Sequence, residues 1–166
     1  LLSRPGCDSV AFTNPACVTT AARHRGYRRA LGRASLVLPD GIGVKIAGDL
    51  LGTPLNQNVN GTDLFPHLMA LLARRQGSLY LLGGAPGVPE AVAEAIAARW
   101  PGVRLAGLRH GYFSHAEERE VVRGIRASGA DLLLTARGVP SQELVLDRHA
   151  DALGVRVAME IGRAHV

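Results

Sequence analysis

Lysine is nearly missing from this chain. Of its 19 basic residues only Lys45 is a lysine, so the formal charge of +5 rests on arginine. With so much alanine and glycine alongside, that bias looks like a GC-rich coding sequence and says little about partners. Aromatic residues make up 4 % of the chain. With few rings to stack on bases and no recognisable module, nucleic acid is not an expected partner; phosphates and lipid head groups stay open as ligands. Two cysteines, Cys7 and Cys17, are too few for a disulfide framework and point to a reducing compartment. No apolar run reaches the roughly 18 residues of a membrane-spanning helix, and no secretory leader is visible. The spacing of a dinucleotide fingerprint, the lysine of a P-loop and any metal-ligand motif are also missing, so neither cofactor nor metal is expected.

What is present is an ordinary globular balance, 47 % hydrophobic and 20 % charged over 166 residues, enough for one α/β domain with a real core. Short apolar runs at 9–13, 36–38, 78–82, 103–108, 131–135 and 155–159 read as strands. Between them, segments near 16–24, 27–33, 44–51, 64–75, 90–100, 117–127 and 141–153 read as helices. This alternation predicts a Rossmann-like α/β fold, a mostly parallel sheet with right-handed crossovers and helices on both faces.

The organising stretch is 36–43, LVLPDGIG. Three apolar residues predict a short buried, central strand, Pro39 ends its ladder, and Gly41 and Gly43 turn the chain into a helix. Asp40 then falls at the carboxyl end of a strand, where open α/β sheets bind ligands. Two readings are open for it, a functional carboxylate or only the cap of the next helix. Thr62 and Asp63 are natural caps for the helix at 64–75, beyond the polar loop 54–60 (PLNQNVN). Gly83 and Gly84 begin a strand–glycine–helix turn of the kind that faces a phosphate, a common arrangement even without a ligand. Tyr112 ends another strand as a core residue or as a face on which a base stacks. Gln142 and Glu143 fall in the first turn of the helix after Pro140. Arg23, Arg25, Arg28, Arg29 and Arg33 form a basic patch that reads most simply as a solvated helix face.

Taken together, VLPDGIG (37–43), NGTDLFP (60–66), LLGG with PGV (81–88), HGYF (110–113) and ASGADLLL with GVPSQE (127–143) resemble the WecG/TagA/CpsF glycosyltransferases of bacteria, in order and spacing. The resemblance implies an inverting transferase of cell-surface polymer biosynthesis. It would move an N-acetylmannosamine-like sugar from a UDP-sugar donor to a polyprenyl-diphosphate-linked acceptor. It implies Asp40 as general base and Asn14, Thr62, Asp63, Gly83, Gly84, Tyr112, Gln142 and Glu143 as substrate-binding residues, with Tyr112 and Gln142 near the nucleotide. It also implies a cytoplasmic protein peripheral to the plasma membrane, which it meets through a basic C-terminal appendage. One departure is Phe12, where many relatives carry threonine two residues before the asparagine matching Asn14. A non-catalytic nucleotide-binding module, or an inactive fragment of the enzyme, is the alternative.

Both ends read as artificial. The chain opens without methionine, and EIGRAHV (160–166) matches the translation of a common sequencing adapter. The expectation is an incomplete glycosyltransferase domain over 1–159 followed by a non-native scar over 160–166.

Overall fold

Period-2 alternation decides which way each strand residue faces. In the computed structural model, Leu79 and Leu81 pack to one side of the sheet, and Tyr80 and Leu82 to the other. The structure describes residues 7–55 and 59–161. Residues 56–58 of the expected polar loop, and 162–166 of the scar expected over 160–166, lie outside the described residues; Glu160 and Ile161 are described, and Glu160 pairs with Thr135 in the sheet.

The elements run β1 (Asp8–Thr13), α1 (Pro15–Arg23), α2 (Arg25–Arg33), β2 (Leu36–Pro39), α3 (Ile42–Leu50), α4 (Gly61–Arg74), β3 (Ser78–Gly83), α5 (Val88–Arg99), β4 (Arg104–Arg109), a 3₁₀ turn (His115–Glu117), α6 (Glu118–Ser128), β5 (Leu132–Ala136), α7 (Ser141–Leu153) and β6 (Val157–Glu160). The six strands form one sheet in the order β2-β1-β6-β5-β3-β4, and every pairing is parallel. Helices cover both faces. Val121, Val122 and Ile125 of α6 and Leu146 and Leu153 of α7 pack on Leu133 and Ala158. On the opposite face Met69 of α4 and Ala93 and Ile96 of α5 pack on Leu132, Leu134 and Met159. Phe12 belongs to this second core, only 8 % exposed, so its ring fills space under α4.

One local expectation changes. The 36–38 run forms the sheet's edge strand, not a buried central one: Leu36 and Val37 are 39 % and 41 % exposed. Three apolar residues suffice for either place, and only the pairing order decides. In α3 Ile42, Ile46 and Leu50 are exposed, as is Leu51 at its C-cap, while Val44 is half-buried. Among the described residues, no helix is long and apolar enough to cross a membrane.

Candidate active site

A parallel sheet delivers every strand's carboxyl end to one edge of the molecule, and the loops after β1 to β5 carry Asn14, Asp40, Gly83, Tyr112 and Gln142 there. Asn14 and Asp40 close adjacent strands. Thr13 stands opposite Pro39 in the ladder, and the Asp40 backbone N–H donates to the Thr13 carbonyl at 2.9 Å. The Asn14 side chain caps α1, accepting from the Cys17 N–H at 3.0 Å. Asp40 caps nothing. The N-cap position of α3 is held by Gly41, with φ of 95°. The Asp40 carboxyl makes no ion pair among the described residues, and its partial burial raises its pKa. A half-dry carboxylate with an elevated pKa is a competent proton acceptor.

Three strands away, a second group is laced together by main chain. The Gly84 N–H donates to Ala136 O at 3.1 Å and the Gly111 N–H to Gly84 O at 2.9 Å. The Gly138 N–H donates to the Gln142 side chain at 3.1 Å. Gly83 has φ of 141°, and a Cβ there would lie 2.6 Å from the Ala136 carbonyl, so close packing of β3 on β5 by itself demands glycine. Gly84 is similarly crowded by Val88, 2.8 Å from where its Cβ would be. Tyr112 projects, 68 % exposed. Gln142 and Glu143 are both buried, and the Gln142 amide donates to Glu143 at 3.3 Å. Helices α5 and α7 begin without a side-chain cap; the Val88 and Gln142 N–H groups donate to the Ala85 and Gly138 carbonyls at 3.0 and 3.1 Å, and the positive ends of both helix dipoles face this edge.

Thr62 and Asp63 sit in the first turn of α4, but neither is its cap. Asn60 is, accepting from the Asp63 N–H at 2.7 Å while its own amide donates to the Asp63 carboxylate at 2.8 Å. That turn lies against the end of β6: a Cβ on Gly61 would be 3.5 Å from Ile161 Cα. The whole array from β2 to β4 crosses five strand spacings, roughly 24 Å at about 4.8 Å each.

Three buried polar groups at this edge were not expected from sequence. Thr13 Oγ1, Tyr27 Oη and Glu160 Oε2 have no hydrogen-bond partner among the described residues, nor has Glu143 Oε2. Burial raises the pKa of Glu143. Burial, and then the Glu143 charge, push Glu160 up to about 9. Two carboxyls in so dry a place resist carrying two charges. Tyr27, fully buried, is also shifted upward, by burial first and then by its neighbours Cys17 and Glu143. In sequence it is an unremarked residue within the arginine patch, and only the packing of α2 on α7 brings it here. A cavity of about 310 Å³ reaches Glu143 and Glu160 but otherwise runs along β1 beneath α2 and α7. Among the described residues, no group of three His, Cys, Asp or Glu is arranged to hold a metal.

A parallel six-stranded sheet with helices on both faces, and with glycine-rich turns, a carboxylate and an open aromatic at one edge, defines a Rossmann-like α/β fold. Its residues 2–165 match the Glycosyl transferase WecG/TagA/CpsF family, and the chain belongs to that family. It is 31 % identical over 153 residues to a Bacillus spizizenii protein named N-acetylglucosaminyldiphosphoundecaprenol N-acetyl-beta-D-mannosaminyltransferase. Proteins of the same name from Bacillus subtilis and Staphylococcus aureus are 26 % and 29 % identical. In each case 92 % of this chain is aligned, and it spans 59 % of the relative's length.

Proposed function

We propose that this chain is the sheet-bearing part of an inverting glycosyltransferase that moves a sugar from a UDP-sugar to a polyprenyl-diphosphate-linked acceptor. The acceptor hydroxyl attacks the anomeric carbon of the donor, the bond to UDP breaks, and Asp40 takes the hydroxyl proton. UDP leaves with the electron pair, and the positive dipole ends of α5 and α7 favour its charge. In this reading the nucleotide lies toward Tyr112 and Gln142, and the reacting sugars toward Asn14 and Asp40, near Thr62 and Asp63. N-acetylmannosamine is the proposed sugar, by analogy with the activity that the relatives' names carry. The observation that supports the reading best is Asp40: a half-buried carboxyl at a strand end that, among the described residues, neither caps a helix nor is ion-paired, in a chain of this family.

The test is calorimetry with UDP, followed by an assay of sugar transfer to a lipid-diphosphate acceptor, on this chain and on one extended to the relatives' length. Binding by both and turnover by the longer one is expected. Binding without turnover by either would make this a nucleotide-binding module. No binding by the longer chain would overturn the reading.

A further inference from the structure

Arginine just after a strand ordinarily reaches for solvent, and Arg137 does not. Its Nε donates to the Gly111 carbonyl at 2.9 Å and its Nη2 to the Phe113 carbonyl at 3.4 Å. Its guanidinium carbon lies 3.7 Å from the centroid of the Phe113 ring. The remaining nitrogen, Nη1, is buried with no hydrogen-bond partner among the described residues. A side chain placed only to solvate a charge would not leave a donor dry. The same loop is fixed from the other side by the Gly111 N–H, which donates to Gly84 O at 2.9 Å. Nor is there slack at Gly111, where a Cβ would lie 3.1 Å from Gly83 Cα and 3.2 Å from Arg137 Cγ.

The consequence falls on the residue between. Gly111 and Phe113, the two neighbours of Tyr112, are both gripped, while Tyr112 itself stands 68 % exposed. We propose that Arg137 is a positioning residue: it locks the backbone on both sides of Tyr112 and so presents that ring as a rigid face on which the donor's base stacks. This rests on the nucleotide reading above. Stacking a base on an aromatic ring is worth roughly 5- to 150-fold in affinity. A mobile loop would surrender much of that, because ordering one residue's backbone costs about five- to thirty-fold. Holding the loop before the ligand arrives removes that cost. Two carbonyls and a ring face must be met at once, which a planar guanidinium can do and a lysine ammonium cannot.

The test is a double-mutant cycle on the 166-residue chain, with UDP as probe and calorimetry as readout, on the parent, Arg137→Met, Tyr112→Ala and the double variant. Hydrogen exchange of the 111–113 amides and the melting temperature are measured on each. Arg137→Met is expected to weaken UDP binding about tenfold, to speed exchange at 111–113 and to leave exchange in β3 and β5 unchanged. In the Tyr112→Ala background it should weaken binding no further. Arg137→Lys should fall between parent and Met. An equal loss with and without Tyr112 would overturn the proposal, as would unchanged exchange in the loop. If the parent binds no UDP, the nucleotide reading fails on this chain and the stacking role with it. The exchange data then tell that failure apart from a failure of Arg137 to hold the loop.

Discussion

Gly83→Ala separates two explanations of the glycine turn. One holds that glycine is there for a ligand's approach; the geometry says that the sheet needs it first. The new Cβ would sit 2.6 Å from the Ala136 carbonyl carbon and oxygen and 2.7 Å from its nitrogen, all of them backbone atoms that cannot swing away. Overpacking of this kind costs about 1–3 kcal/mol. The positive φ of 141° adds backbone strain of about 1–3 kcal/mol, for an expected loss of about 2–6 kcal/mol. Gly87 is the internal control, with φ of 91° but nothing within 4 Å of its would-be Cβ. Gly87→Ala should therefore cost only strain, about 1–2 kcal/mol. For a domain of this size the difference corresponds to roughly 5–10 °C in melting temperature, readable by calorimetry or circular dichroism without any ligand. If the two variants melt together, the packing account of Gly83 is wrong, and the turn was shaped by what binds there.

Other residues give smaller, independent tests. Asn60→Ala removes the side-chain cap of α4 and should cost about 1 kcal/mol in urea unfolding. Asp131 accepts from the Ser78 N–H at 2.9 Å and the Ser78 hydroxyl at 2.8 Å, bonds that lower its pKa. A depressed acid stabilises above its unfolded pKa and loses that as pH falls. Asp131→Ala should thus cost about 1 kcal/mol at pH 7, little because the carboxylate is 38 % exposed, with the difference fading below about pH 4. Glu143 has the opposite sign, because burial raises its pKa and folding becomes less favourable as pH rises above the unfolded value. Glu143→Gln, which can still accept from Gln142, should melt higher than the parent at pH 8 and alike at pH 4.

Much of this architecture could be read from the residues. Six apolar runs set between helical segments, and Leu79–Leu82 with its neighbours facing alternately, leave few folds but a parallel sheet with helices on both faces. Asp40 after a strand was equally legible, because proline and glycine fix the strand's end. Pairing order was not: the run Leu36–Leu38 looks the same at an edge as in the middle. The cap of α4 was obscured because Asn60, Thr62 and Asp63 are all good cap formers, and the backbone angles alone select Asn60. The burial of Glu143 and the grip of Arg137 on residues 111–113 were invisible for another reason. Both are charged residues at a loop or helix start, where solvent is the ordinary environment, and only the packing of α2 on α7 and of β5 beside β3 removes it.

The central claim is that Asp40 is the base of a sugar transfer. Asp40→Asn keeps the side chain's size and its hydrogen-bonding capacity while removing the proton acceptor. Turnover should be measured with UDP-N-acetylmannosamine and a polyprenyl-diphosphate-linked N-acetylglucosamine, in the chain extended to its relatives' length. General-base catalysis contributes about 10²–10⁴-fold, so kcat should fall by that factor while UDP-sugar affinity changes little. Turnover by Asp40→Asn close to that of the parent would contradict the account and move the base to Asp63 or Glu143.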